Sequence, residues 1–169
     1  MTELRARLIE ALALKELPRA GWVRAGVQSP ESVAAHSWGV AFLVLVLCPE
    51  HLDRHKALAI AIVHDLAEAR VGDITPHDGV APQDKQRMEE EAFLALTTGL
   101  PTARAIELRQ AFQDYGTTPE GRLVKACDKL DMALQAARYA GDQGLDLQEF
   151  VDSALARLEP GLLRELAGG

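Results

Sequence analysis

Cysteine is scarce in this chain of 169 residues, which holds only Cys48 and Cys127. Neither belongs to a CxxC pair. A disulfide framework and a cysteine zinc site are therefore not expected, and both thiols should pack as small hydrophobes. Long apolar runs are missing too. The longest, Trp38 to Cys48, is well short of the roughly 18–20 residues that span a bilayer. Charges interrupt the apolar residues of MTELRARLIEALALKELPR. No signal-peptide core is expected there, so the expected location is the cytoplasm, with no membrane partner. Basic residues are in deficit, with 18 Lys and Arg against 25 Asp and Glu and a net charge of −7. That balance argues against a nucleic-acid polymer as partner and leaves room for one local basic pocket. Period-two alternation is missing except at Val44 to Leu47, where it continues a helix.

What is present is ordinary for a globular chain: 48% hydrophobic and 25% charged residues. The length suits one domain over 1–169, with its core at 29–140 and terminal helices packed on it. A mass of 18.3 kDa implies a folded surface of about 8,000 Å² against about 26,500 Å² unfolded. Helices punctuated by Pro and Gly fill the chain. Leu4, Leu8 and Leu12 make a first amphipathic stripe that ends near Pro18, and a loop follows from Arg19 to Ser29. Ser29-Pro30-Glu31 predicts a cap and start for a long helix to Cys48, apolar all round and hence buried. Asp53 caps a helix to Arg70. Asp73 to Pro82 is the longest loop. Helices are expected over 83–98 and 101–115, then from Thr118-Pro119-Glu120 to Ala140. Asp146 with Glu149 reads as a capping box for a helix to Leu158, and Pro160 opens a short last piece. The class is all-α, a helical bundle of about seven helices.

Five histidines are present. His51 and His55 sit at a helix start and His77 in a polar loop, where exposure is expected. His36 and His64 fall inside apolar helices, and Asp65 directly follows His64. Buried imidazoles and carboxylates need partners, and one divalent ion satisfies several at once. A nitrogen and oxygen donor set suits Mn, Fe, Co, Ni or Zn rather than Ca. Glu68 shares the helical face of His64 and Asp65, and Asp73 follows Gly72. Asp128 lies in VKACDKLDMALQ, in mid-helix. Asp131, with Lys125 and Lys129 nearby, is expected to form an ordinary ion pair.

His36, then His64-Asp65, then Asp128 is the H…HD…D arrangement of HD-domain metal-dependent phosphohydrolases, which this chain resembles. The gaps of 28 residues from His36 to His64 and 63 from Asp65 to Asp128 are similar to that family's. The segments PRAGWVRAGVQSPESVAAHSW, AIVHDLAEARVGDITP, TPEGRLVKACDKLDMALQA and YAGDQGLDLQEF look like the HD-domain 5′-deoxynucleotidases. The resemblance implies one divalent ion (Mn, Co, Fe, Ni, Zn or Mg) on His36, His64, Asp65 and Asp128. It implies Glu68 as base or proton shuttle, and Asp73 as the group that positions the sugar or leaving oxygen. The substrate would be a nucleoside 5′-monophosphate, with Arg19 or Arg24 on the phosphate and Trp22 beside the sugar. Trp22 reads equally well as packing against the first helix. The order Arg-Ala-Gly-Trp departs from relatives in which Arg directly precedes Trp, and Asp114-Tyr115 stands where the family has Glu-Tyr. A homodimer is implied by relatives. The alternatives are hydrolysis of another phosphoester, such as a cyclic nucleotide or alarmone, and a non-catalytic helical protein with a structural metal.

Overall fold

Helix begins near the N-terminus, as the leucine spacing predicts. Helix α1 covers Thr2–Ala11 and tightens into a 3₁₀ turn over Leu12–Lys15. The computed structural model describes residues 2–169. The stretch expected to be a loop contains a short helix, α2 (Ala20–Arg24). The long helix α3 (Val33–Leu47) starts later than expected, with Ser32 as its cap; the Ser32 hydroxyl accepts from the Ala35 N–H. The reason is tertiary. Arg19 N–H donates to Glu31 O and Val33 N–H to Leu17 O, which holds the Glu31–Ser32 stretch extended against Pro18. Ser29 takes a left-handed φ of 53° instead of capping.

Asp53 caps α4 (Arg54–Val63), its carboxylate accepting from the His55 and Lys56 N–H groups. The helix expected to reach Arg70 is interrupted. From Leu66 to Arg70 the backbone bonds run three residues back, as in Glu68 N–H to Asp65 O, and helix resumes only as α5 (Glu68–Val71). Three-residue turns eclipse side chains at i and i+3, so Asp65 and Glu68 are brought to one side. Gly72, at φ 80°, ends α5. A 3₁₀ turn (Pro76–Asp78) then leads to α6 (Pro82–Thr97) and α7 (Thr102–Asp114). Helix α8 (Pro119–Gln143) has Thr118 and Pro119 at its start, as predicted. It outruns Ala140 until Gly144 closes it in the left-handed conformation. Helix α9 (Gln148–Leu155) lacks the expected capping box: Asp146 accepts from the Gln148 N–H, while Glu149 pairs with Arg24. Helix α10 (Leu162–Gly168) ends the chain. Among the described residues eight helices reach seven residues or more, in line with the about seven expected, and the all-α class holds.

The core lies where α3, α4 and α8 meet, with Val40, Val44, Ile60, Ala61, Val124 and Cys127 fully buried. Both cysteines are free, and Cys127 packs as a hydrophobe. Helices α9 and α10 cover the outer side of α8 through Leu130, Ala133, Ala154 and Leu158. Helix α3 is not buried all round. Trp38, Phe42, Leu45 and Val46 are 70%, 51%, 50% and 62% exposed, and Trp38 stacks on Phe42. The exposed surface totals 9737 Å², above the roughly 8,000 Å² that the mass implies. No described helix is long and apolar enough to cross a membrane.

Candidate active site

The break after α4 and the buried sides of α3 and α8 aim polar groups into one cleft. His36, on the first turn of α3, is 1% exposed. Its Nδ1–H donates to Asp131 Oδ2 at 2.7 Å, since a carboxylate can only accept. His64 closes α4, and its Nδ1–H donates to the Ala61 carbonyl at 2.8 Å. Both rings are thus fixed through Nδ1 and turn Nε2 the same way. His36 Nε2 lies 3.3 Å from Asp128 Oδ1 and 3.6 Å from Asp65 Oδ2, and His64 Nε2 lies 3.3 Å from Asp65 Oδ2.

Neither Nε2 atom has a hydrogen-bond partner, and Glu68 Oε2 has none either. Buried polar atoms are rarely left so, and three in one place need an explanation. One donor atom from each of His36, His64 and Asp65 lies within 4.8 Å of the others. Two imidazole nitrogens and carboxylate oxygens around a shared gap fit a divalent first-row ion. Asp128 adds an oxygen beside His36 and is itself held by the Tyr115 hydroxyl, which donates to Oδ2 at 2.6 Å, and by Lys129 Nζ at 2.9 Å. The Tyr115 ring stacks on His64 with centroids 5.2 Å apart.

Electrostatics follow from this crowding. Burial lowers the His36 pKa, as does Arg19, but the carboxylates of Asp128 and Asp131 beside the ring outweigh both and bring it to about 9. Burial raises Asp65, yet His64, Arg19 and His36 hold its carboxyl below the usual range. Glu68 goes the other way. Burial first, then the charges of Asp65 and Asp73, push it up to about 10.

The two arginines separate. Arg19 Nη1 donates to Asp65 Oδ2 at 3.3 Å and lies 3.8 Å from Asp73 Oδ2, so it stands in the middle of the acidic group. Arg24 is tied to Glu149 at 2.6 Å on the outer rim, with its guanidinium over the Phe150 ring. Asp73 Oδ2 also accepts from the Ala20 N–H at 2.8 Å, which pins the start of α2 to the cleft. Trp22, 3% exposed, packs against Tyr139 and Phe150 of α8 and α9 rather than against the first helix. Its Nε1–H donates to Glu31 Oε1 at 2.9 Å. The cleft has a volume of about 640 Å³, and Arg19, Trp22, Asp65, Glu68, Asp73 and Asp128 line it together with Lys85 and Lys129. That size suits a mononucleotide-scale ligand.

His51 and His55 are exposed as expected, while His77, also exposed, touches the lip of the cleft. Asp131 does not form the ion pair suggested by its neighbouring lysines, because His36 takes its carboxylate and Lys129 turns to Asp128. Asp114 faces away, paired with Lys56 at 2.9 Å. Sequence reasoning missed the contributions of Tyr115, Asp131 and Glu31. The signal available for the first was its place next to the acid in Asp114-Tyr115. For Asp131 it was its spacing, one helical turn after Asp128, which puts both on one face of α8.

Comparison with known proteins agrees with this geometry. The family model described as HD domain matches residues 11–166. A Bos taurus protein named 5′-deoxynucleotidase HDDC2 is 41% identical over 148 residues, covering 85% of this chain and 72% of its own length. The Schizosaccharomyces pombe 5′-deoxynucleotidase hdd1 is 39% identical over 132 residues, covering 75% and 67%. Among solved structures, the PH0347 protein of Pyrococcus horikoshii superposes with a TM-score of 0.78 at 37% identity, covering 96% of this chain and 93% of that one. A protein described as a predicted metal-dependent phosphohydrolase from Magnetospirillum magnetotacticum gives 0.77 at 26% identity, covering 99% and 87%. A match over nearly the whole chain, on helices that bring two histidines and two aspartates together, places this protein in the HD-domain family.

Proposed function

We propose that this protein is a metal-dependent phosphomonoesterase that hydrolyses deoxynucleoside 5′-monophosphates to nucleoside and phosphate. The observation that carries the reading is the pair of buried, unpartnered Nε2 atoms of His36 and His64, facing Asp65 and Asp128 beside Arg19. The substrate class follows the names of the relatives at 39–41% identity. His36, His64, Asp65 and Asp128 would hold one divalent ion. Such an ion supplies Lewis-acid polarisation of phosphate and a water of lowered pKa.

The chain's own residues do the rest. Arg19, already among carboxylates, offers a planar fork of donors that suits two phosphate oxygens. The net charge of −7 would repel a dianionic phosphate, and Arg19, Lys85 and Lys129 supply the local cations on the cleft wall. Glu68 Oε2 carries the proton. With the positive charge of a bound ion opposing the burial that raises its pKa, it would accept as carboxylate from the attacking water and donate as acid to the departing 5′ oxygen. One P–O bond forms to water, the bond to the 5′ oxygen breaks, and the proton ends on the nucleoside hydroxyl. Asp73, anchored on the Ala20 N–H, orients the sugar side. Trp22 forms a rigid wall there, locked by Tyr139, Phe150 and Glu31; a flat, immobile wall discriminates against an added 2′-hydroxyl by shape.

The test is phosphate release from metal-stripped protein reloaded with Mn, Co, Zn or Mg, with deoxynucleotides and ribonucleotides offered side by side. Faster release from the deoxy series is expected. Silence with every metal and every nucleotide would overturn the reading. We also propose a homodimer through the outward face of α3, whose exposed Trp38, Phe42 and Leu45 recur at spacings of four and three in a helix without Asp, Glu, Lys or Arg. Phe42→Glu should convert it to a monomer in sedimentation equilibrium, and a monomeric wild type would refute it.

A further inference from the structure

We infer that Asp131, seated against the bare backbone of Gly39, is a positioning residue that fixes the His36 ring for cation binding. The inference rests on the metal reading above. Two independent features support it. The first is the 2.7 Å bond from His36 Nδ1–H to Asp131 Oδ2, formed between a ring that is 1% exposed and a side chain that is 15% exposed. Holding the Nδ1 proton in that bond makes Nε2 the ring nitrogen left to face a cation in the cleft, and makes it a better donor once bound.

The second feature is on the facing helix. Gly39 lies in the interior of α3, where glycine is less favourable than alanine. A Cβ there would fall 2.1 Å from Asp131 Oδ1 and 3.0 Å from its Cγ. The missing methyl is therefore the space that the carboxylate fills. A side chain at position 39 would force the Asp131 carboxylate to shift from the place where it meets His36.

Neighbouring groups do not offer a substitute. Glu31, His36 and Asp131 have donor atoms within 4.8 Å of one another, but Glu31 Oε1 is taken by the Trp22 indole N–H. The same cluster is no second cation site, because its only nitrogen, His36 Nδ1, already carries the proton given to Asp131. Lys129, the cation nearest in sequence, is engaged with Asp128.

The experiment is a double-mutant cycle read as Mn²⁺ affinity. Calorimetry on metal-stripped protein would be run for wild type, Asp131→Ala, Gly39→Ala and the double variant, with thermal unfolding of each metal-free protein as the control for folding. Asp131→Ala should weaken Mn²⁺ binding about 10–100-fold. Gly39→Ala should weaken it as well, since it displaces the same carboxylate. In the Asp131→Ala background, Gly39→Ala should change affinity by less than about twofold, because nothing remains to displace. Asp131→Asn keeps an acceptor oxygen for Nδ1–H and should recover part of the loss, which also covers the case in which the alanine variant folds poorly. Wild-type affinity in Asp131→Ala would overturn the inference. So would an equal loss from Gly39→Ala in both backgrounds, which would mean that Gly39 acts through the helix and not through Asp131. A folded wild type with no Mn²⁺ affinity would instead overturn the metal reading, and this inference with it.

Discussion

Replacing Glu68 by glutamine should make the protein more stable and less active. The Glu68 side chain is 4% exposed, and burial together with the charges of Asp65 and Asp73 raises its pKa from 4.5 to about 10. Between those two values the folded protein keeps a proton that the unfolded chain releases. Stability therefore falls as pH rises, by about 1.4 kcal/mol for each unit. The contribution of this group is complete below its unfolded value and is lost by its folded value. Glutamine has nearly the same shape and does not titrate. In metal-free protein the advantage of Glu68→Gln over wild type should thus grow by about 1.4 kcal/mol per unit, reaching roughly 4 kcal/mol between about pH 5 and about pH 8. Urea unfolding at several pH values in that window reads this difference directly. Turnover of the metal-loaded variant should drop about 10²–10⁴-fold, the usual scale for losing a proton-transfer group, with metal affinity retained. A stability difference that does not change with pH would refute the burial argument. Undiminished turnover would refute the proton-carrying role.

Trp22→Phe keeps a ring against Phe150 and Tyr139 but strips the N–H from Glu31 Oε1. The unpaired carboxylate oxygen should cost about 1–3 kcal/mol, a fall in Tm of roughly 2–12 °C by calorimetry. Leu130→Ala removes a fully buried side chain between α8, α9 and α10 and should cost about 2–5 kcal/mol by urea titration. Burial raises the Asp114 carboxyl, but hydrogen bonds from Lys56 and Gln110 outweigh it and hold the pKa below 3.8. Its stabilisation is present above that value and is lost on acidification through the lowered folded value. Asp114→Asn should therefore be less stable than wild type at neutral pH, with the gap closing in acid; a gap constant down to strong acid would contradict the pairing.

Polar residues inside apolar helices were the legible part of the site. His36 and Asp128 stand out because a buried imidazole or carboxylate demands a partner, and both point into the cleft. The break between Val63 and Glu68 was not legible. No Pro or Gly interrupts VHDLAEARV, so local propensity favours continuous helix, and only tertiary packing tightens those turns. The true partner of Asp131 was hidden for a related reason: lysines close in sequence suggested an ion pair, whereas His36 lies 95 positions away. Composition could not tell which side of α3 faces solvent either, because the helix contains no Asp, Glu, Lys or Arg. Thr118, Pro119 and Asp53 were read correctly as helix starts, since capping is a property of a few adjacent residues.

Helix α8 supplies Asp128, Asp131 and the apolar cover of α3 and α4, yet it lies late in the chain. During synthesis, α3 and α4 emerge with Val40, Val44, Ile60 and Ala61 facing a partner, α8, that starts 56 residues after Val63 and is complete only after 80 (119 − 63 and 143 − 63). At about 5–20 residues per second the wait is on the order of 3–16 s. A nascent chain that stops before residue 119 carries His36, His64 and Asp65 but neither the orienting carboxylate nor the lid of its own core. Docking of α8 therefore does two things at once: it covers that apolar surface and brings Asp128 and Asp131 to His36.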